Sequence, residues 1–259
     1  MKVQTYLSAA EAEAAEISGS AAVVIDVIRA TSTIVAALAS GARAIYPTVS
    51  MEEAIRLATS LGREDTLLCG ERKGLKISGF DLGNSPGEFT PERVGGMRLV
   101  MSTTNGTRAF AAGQDAERVI AASFLNLSAV VESLRDEDEV VLICAGKEGR
   151  FALDDAVCAG AIVRALVGSA SGNGADAEDG DTVEEEEGDA VKLDDASRAV
   201  LTLAGTHRPE VGFLAGTAAG SALVKVGLGA DLEHCARLDQ HDLVPEMRDR
   251  MIQLSGGAS

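Results

Sequence analysis

The sequence predicts an α/β layered protein with a largely parallel sheet, and three observations carry that prediction. Short apolar, β-branched runs alternate with segments of helical spacing along the chain. Four of those runs stop abruptly in polar, charged segments, at residues 26–33, 70–74, 102–108 and 146–155. Hydrophobic residues make up 46% of the chain but aromatics only 3%, so the core must be built from Ala, Val, Leu and Ile. The 259 residues suffice for one large domain or two intimate subdomains.

The elements follow in order. Residues 3–6 read as a short strand. Ser8-Ala-Ala-Glu11 has capping-box spacing and opens a helix to about Ile17, which Gly19 ends. Residues 22–27 form a buried strand, 34–39 a helix stopped by Gly41, and 44–48 a further strand. Ser50-Met-Glu-Glu53 repeats the capping box and starts a helix to Leu61, with Gly62 as its stop. Strand 66–69 delivers Gly70-Glu71-Arg72-Lys73-Gly74 into a long stretch, LKISGFDLGNSPGEFTPE, whose glycines and prolines argue against regular structure. Loops of that length are usually lids or binding loops. Strands at 98–101, 118–122 and 140–144 follow, with helices at 127–135 and 153–167. Beyond them, 194–203 reads as helical, 213–220 as a Gly-rich loop, and 221–226 and 232–236 as short elements. Residues 244–254 read as a last helix with Pro245 in its first turn.

Charge divides the chain further. Residues 169–190 carry nine acidic side chains and no basic one, more than half of the net charge of −17. Such a segment cannot bury enough apolar area to offset its ordering entropy, so it reads as a disordered surface insertion. The expected organisation is a main α/β region over 1–168, the insertion over 169–190, and a C-terminal α/β portion over 191–259 packed on the first. The acidic balance and scarcity of aromatics argue against nucleic-acid partners. No apolar run approaches the roughly 20 residues of a membrane span, and the N-terminus lacks a signal-peptide pattern. Four scattered cysteines without a C-x-x-C point to reduced, buried thiols, and the chain reads as cytoplasmic. A chain this rich in Ala, Val and Leu is compatible with a homo-oligomer.

Chemistry is expected where the four strand ends meet, because ligands of parallel sheets sit at the carboxyl ends of strands. The segment MSTTNGTR (101–108) offers Ser102, Thr103, Thr104, Asn105, Gly106, Thr107 and Arg108 where a strand hands over to a helix, and reads as a phosphate cradle. Asp26, Glu71, Asp154 and Asp155 stand at the other strand ends, where hard oxygen ligands suit Mg²⁺. An acidic protein must concentrate cations locally to bind an anion. Arg29, Arg72, Lys73, Lys76, Arg108 and Lys147 are available, with Arg29 and Arg108 the first candidates. P-loop, dinucleotide-binding, G-x-S-x-G and H-E-x-x-H motifs are all missing.

The segments DVIRATSTI (26–34), GERKGLKISGFDLGNSPGEF (70–89), MSTTNGTRA (101–109) and CAGKEGRFALDDAVCAG (144–160) together resemble the 2-phosphosulfolactate phosphatase family. The C-terminal third resembles it more loosely, through LVKVGLGADLEHCARLD. The resemblance implies a three-layer α/β/α fold with a mixed, largely parallel sheet. It also implies a Mg²⁺-dependent hydrolase releasing phosphate from 2-phosphosulfolactate, a step toward coenzyme M in methanogens. By position, Asp26, Arg29, Thr31, Ser32 and Thr33 match the first block. Glu71, Arg72, Asn84, Ser85 and Glu88 match the second, residues 102–107 the third, and Asp155 the acidic position of the fourth. The implied site has Asp26, Arg29 and Asp155 as catalytic residues and Asp26, Glu71 and Asp155 around the metal. Thr31, Ser32, Thr33, Arg72 and residues 102–108 would hold a small anionic phosphomonoester. A different phosphorylated 2-hydroxy acid is the alternative substrate, and an anion-binding protein without turnover the alternative class.

Overall fold

The computed structural model describes residues 1–170 and 191–254; most of the acidic segment, 171–190, lies outside them. The chain begins with β1 (Lys2–Tyr6), α1 (Ala9–Ala12), β2 (Ala21–Ile25), α2 (Ala30–Ala39), β3 (Ala44–Pro47) and α3 (Met51–Leu61). Next come β4 (Thr66–Arg72), β5 (Leu75–Lys76), α4 (Pro91–Val94), β6 (Arg98–Ser102), α5 (Gly106–Ala112), β7 (Arg118–Ala122), α6 (Leu127–Ser133), β8 (Glu139–Cys144) and α7 (Leu153–Ala170). The last part holds β9 (Lys192–Leu193), α8 (Asp195–Thr206), α9 (Val211–Gly216), α10 (Ala218–Lys225), α11 (Asp231–Cys235), β10 (Pro245–Arg248) and β11 (Met251–Leu254).

All strands join one mixed, mostly parallel sheet, ordered β5-β4-β6-β3-β11-β10-β7-β2-β8-β1-β9. Its helices pack on both faces, which makes three layers. Along β2 the side chains alternate between faces: Val23 and Ile25 meet α6, α7 and α8 through Val130, Ile162 and Val200, whereas Ala22 and Val24 meet Ile34 and Leu38 of α2 and Phe110 of α5. On the outer side of β4 and β6, α3 lays Ala54 and Ala58 against Leu68 and Val100. The two serine caps form as expected, with Ser8 accepting from Glu11 N and Ser50 from Glu53 N. Among the described residues no helix is long and apolar enough to cross a membrane.

The sheet consists of two parallel runs of opposite sense. β9, β1, β8, β2 and β7 run one way; β3, β6 and β4 run the other, with the antiparallel pair β10–β11 between β7 and β3. The four strands with polar ends are therefore not all parallel: β2 and β8 belong to one run, β4 and β6 to the other. In a flat sheet Asp26 and Ser102 would face opposite edges. Sheet twist of about 20–25° per pair accumulates to about 100–125° over the five steps from β2 to β6, so the runs cross rather than oppose. Both runs contribute to one inner core cluster, in which Val24 of one and Leu99 and Met101 of the other pack with residues of α2 and α5.

Residues 244–254 are the second correction. They form the β10–β11 hairpin, not a helix, turning through Asp249 and Arg250 at φ 50° and 62°. Their apolar spacing fits a helix, but two open strand edges recruit them, and Met247 and Ile252 are buried between the two runs. Residues 213–220, expected as a loop, lie largely in α9 and α10. Thr217 caps α10 by accepting from Gly220 N, and a Cβ on Gly220 would lie 1.9 Å from Leu214 O, so this glycine serves close helix packing.

Candidate active site

A cavity of about 420 Å³ opens where the ends of β2, β4, β6 and β8 meet, roofed by α10. Beneath it the turn after β2 is tied down by its own hydroxyls. Thr31 Oγ1 accepts from Asp26 N (3.0 Å) and donates to Asp26 O (2.8 Å); Ser32 Oγ donates to Val27 O (2.8 Å) and Thr33 Oγ1 to Asn84 O (2.9 Å). All three side chains are fully buried and none lines the cavity, so they shape the turn that presents Asp26. Asp26 Oδ1 accepts from Ala30 N at 3.1 Å, while Oδ2 lies against Gly106.

The other acidic residues divide into two kinds. Asp155 bridges two strand ends: Oδ1 accepts from Val27 N and Oδ2 from Gly146 N, both at 2.9 Å. Glu71 does the same between loops, Oε1 accepting from Thr104 N and Oε2 from Gly74 N, both at 2.7 Å. Asp154, by contrast, is buried and lines the cavity with an Oδ1 that has no hydrogen-bond partner. The residues alone leave Asp154 and Asp155 equal; the resemblance favours Asp155, because Asp154 stands where the family often has Glu. Burial pushes Asp26 up from 3.8 to about 7, with Asp154 and Glu71 adding repulsion and the Ala30 N–H opposing. Burial likewise lifts Asp154 to about 6 and raises Asp155, which also feels Asp154 and Asp26.

Of the predicted cradle, Thr103, Thr104 and Asn105 line the cavity. Thr104 Oγ1 is buried without a partner, as is Asn84 Oδ1 on another wall. Ser102 and Thr107 are internal braces: Ser102 Oγ accepts from Arg72 Nη2 (2.9 Å), and Thr107 Oγ1 donates to Thr103 O (3.0 Å). Gly106 is required by contact, since a Cβ there would lie 2.4 Å from Ala30 Cβ and 2.8 Å from Asp26 Oδ2. Arg108 is exposed on α5 and stands outside the cavity lining.

Arg29 reaches the cavity wall but is already engaged. Nη1 donates to Asp231 Oδ2 (2.6 Å) and Ser85 Oγ (3.1 Å), and Nη2 to Gly74 O (2.6 Å). With side-chain exposures of 3% and 11%, Arg29 and Asp231 form a buried ion pair that fastens α11 to the β2 turn. Sequence reading did not single out Asp231, although it lies in the GADLEHCARLD stretch. The remaining cations of the lining are Lys73, Lys147 and Lys225. Among the described residues, no three Asp, Glu, His or Cys side chains are grouped to hold a metal ion by themselves.

Such a fold and site define an α/β protein in which carboxylates, hydroxyls and lysines converge at strand ends around one cavity. The chain belongs to the 2-phosphosulpholactate phosphatase family, whose sequence model matches residues 6–250. It is similar to proteins named as probable 2-phosphosulfolactate phosphatases in several bacteria. The Thermotoga petrophila protein is 50% identical over 154 residues, 60% of this chain and 66% of that relative, so this alignment spans just under two thirds of the relative's length. The Clostridium acetobutylicum protein is 35% identical over 247 residues, covering 95% and 97% of the two chains. That of Pseudothermotoga lettingae is 38% identical over 232 residues, covering 89% and 91%.

Proposed function

We propose that this protein hydrolyses 2-phosphosulfolactate to sulfolactate and phosphate, with Mg²⁺ as cofactor, in the cytoplasm. The observation that carries the reading is the pair of inward-facing carboxylates, Asp26 and Asp154, beside Thr103, Thr104 and Asn105 in one cavity. A pure anion binder gains nothing from buried carboxylates, whereas phosphoryl transfer uses one to attack or to hold a metal. The family membership and the names of the relatives support the same chemistry and substrate. Four buried, unpaired cysteines agree with a reducing compartment.

The residues fit Mg²⁺. The unpartnered Oδ1 of Asp154 and the raised affinity of Asp26 and Asp154 for a proton are what a cation would relieve. Asp26 and Asp154 would hold it, because Glu71 and Asp155 have both oxygens engaged by backbone N–H groups. Two carboxylates leave the other positions to water and substrate phosphate, the pattern Mg²⁺ prefers. When bound, the ion supplies charge neutralisation at the phosphoryl oxygens.

Asp26 Oδ2 is the proposed nucleophile. Its attack forms a P–O bond to the carboxylate and breaks the ester P–O bond, and the leaving alkoxide takes a proton from water. Water then cleaves the acyl phosphate, releasing phosphate and restoring Asp26. Thr103, Thr104 and Asn105 orient the phosphoryl oxygens. Rapid quench with labelled substrate tests the step: labelled phosphate on Asp26 supports it, and turnover without trapped label assigns the attack to water. Melting with and without Mg²⁺ tests the metal. Mg²⁺ raises Tm of the wild type at pH 8 and has a smaller effect on Asp154→Asn; equal shifts refute the assignment.

A further inference from the structure

Lysine is scarce in this protein, with six in 259 residues and a net charge of −17, yet Lys73, Lys147 and Lys225 all line the one cavity. They arrive from three separate parts of the chain. Lys147 sits beside Asp154 and offsets its charge. The side chains of Lys73 and Lys225 have no hydrogen-bond or ion-pair partner among the described residues, and both are exposed at the rim. Gly74, next to Lys73, approaches Val226, which follows Lys225, and Leu223, two residues before it; a Cβ on Gly74 would lie 3.5 Å from Val226 Cγ2 and 3.8 Å from Leu223 Cδ1.

The backbone at Lys73 adds a second, independent observation. Lys73 and Gly74 form the two-residue turn of the β4–β5 hairpin, with φ of 53° and 82°. Gly, Asn or Asp is the ordinary first residue of such a turn. Here a lysine holds the left-handed position, in a turn clamped by Glu71 Oε2 on Gly74 N and by Arg29 Nη2 on Gly74 O. A long cationic side chain is thereby projected from a rigid base. Lys225, in the last turn of α10, also complements that helix's dipole; this explains a cation at the position but not its place on the cavity rim.

We propose that Lys73 and Lys225 form a clamp for a second anionic group of the substrate, a carboxylate or sulfonate, and so set the preference for phosphoesters that carry one. The clamp rests on the phosphatase reading and extends it to specificity. It places the second anion at the rim between the β4–β5 turn and α10, with the phosphoryl group deeper, at Asp26.

Two esters distinguish the parts of the argument: 2-phosphosulfolactate, and phenyl phosphate, which lacks a second anion. The readout is the ratio of their kcat/KM values in wild type, Lys73→Asn, Lys225→Gln and Lys73→Arg. Asn suits the left-handed turn, so the charge is removed with the hairpin retained. A partly folded sample lowers both rates together and leaves the ratio intact. The expected result is a ratio at least tenfold lower in Lys73→Asn and in Lys225→Gln, through KM for 2-phosphosulfolactate, with Lys73→Arg recovering most of it. A smaller fall in either neutral variant overturns the clamp. Absence of phosphate release from both esters by the wild type refutes the phosphatase reading, and the clamp with it.

Discussion

Replacing Asp26 with Asn separates the charge of the site from its shape. The amide retains an acceptor for Ala30 N–H and nearly the same volume. Burial raises the Asp26 carboxyl from 3.8 to about 7. A raised acid keeps its proton in the folded chain where the unfolded chain has lost it, so the folded state binds more protons between those values. Its share of stability is full below about pH 4 and is lost as the pH rises to about 7. Three pH units correspond to about 4 kcal/mol. A chain of this size gains about 2 °C in Tm per kcal/mol. In metal-free buffer at pH 8, Asp26→Asn should melt about 8 °C above the wild type, and at pH 4 within about 2 °C of it. Phosphate release from 2-phosphosulfolactate should fall at least about 10³-fold in the same variant. Scanning calorimetry across pH and a phosphate assay with Mg²⁺ provide the two readings. A variant that melts no higher than wild type at pH 8 refutes the argument from burial, and one that retains activity refutes the central role of Asp26.

Other perturbations probe the supports of the cavity. Arg29→Met leaves Asp231 buried without its partner, so denaturant titration should show a loss of about 3–5 kcal/mol; adding Asp231→Leu should recover part of it, and no recovery would mean the pair does not act as a unit. Gly106→Ala drives a methyl into Ala30 and Asp26, so it should destabilise by about 1–3 kcal/mol and reduce activity more than its loss of Tm explains. Asp155→Ala strands the Val27 and Gly146 N–H groups, worth about 1–3 kcal/mol each, and hydrogen exchange should accelerate at both amides while remaining slow in β1.

Much of the fold was legible because local signals agreed with their tertiary use. Ser8 and Ser50 cap as their spacing predicts, and the apolar run ending at Ile25 is the buried β2. The C-terminal hairpin was not legible, because Val244, Met247, Met251 and Leu254 keep helical spacing and only the open edges of β7 and β3 select strands. Residues of all four motif blocks line one cavity, but the surroundings of each side chain were not legible in the sequence. Thr31, Ser32 and Thr33 look like ligand-binding hydroxyls in sequence, yet the same groups serve to hold a tight turn. Arg29 looks like a free cation until Asp231, some two hundred residues away, comes to rest against it. Lys225 gave no signal at all, since nothing local marks a helix end as the rim of a cavity.

The position of β10 and β11 has a consequence for how the protein is made. They follow every other described strand in chain order, yet they stand in the middle of the sheet. Until residues 245–254 leave the ribosome, β7 and β3 each present an open edge, and unpaired edges invite association with other chains. The motif blocks of both runs precede this bridge in the chain. A nascent chain that has not yet reached residue 245 would therefore carry every motif block and still lack the hairpin that joins the two runs.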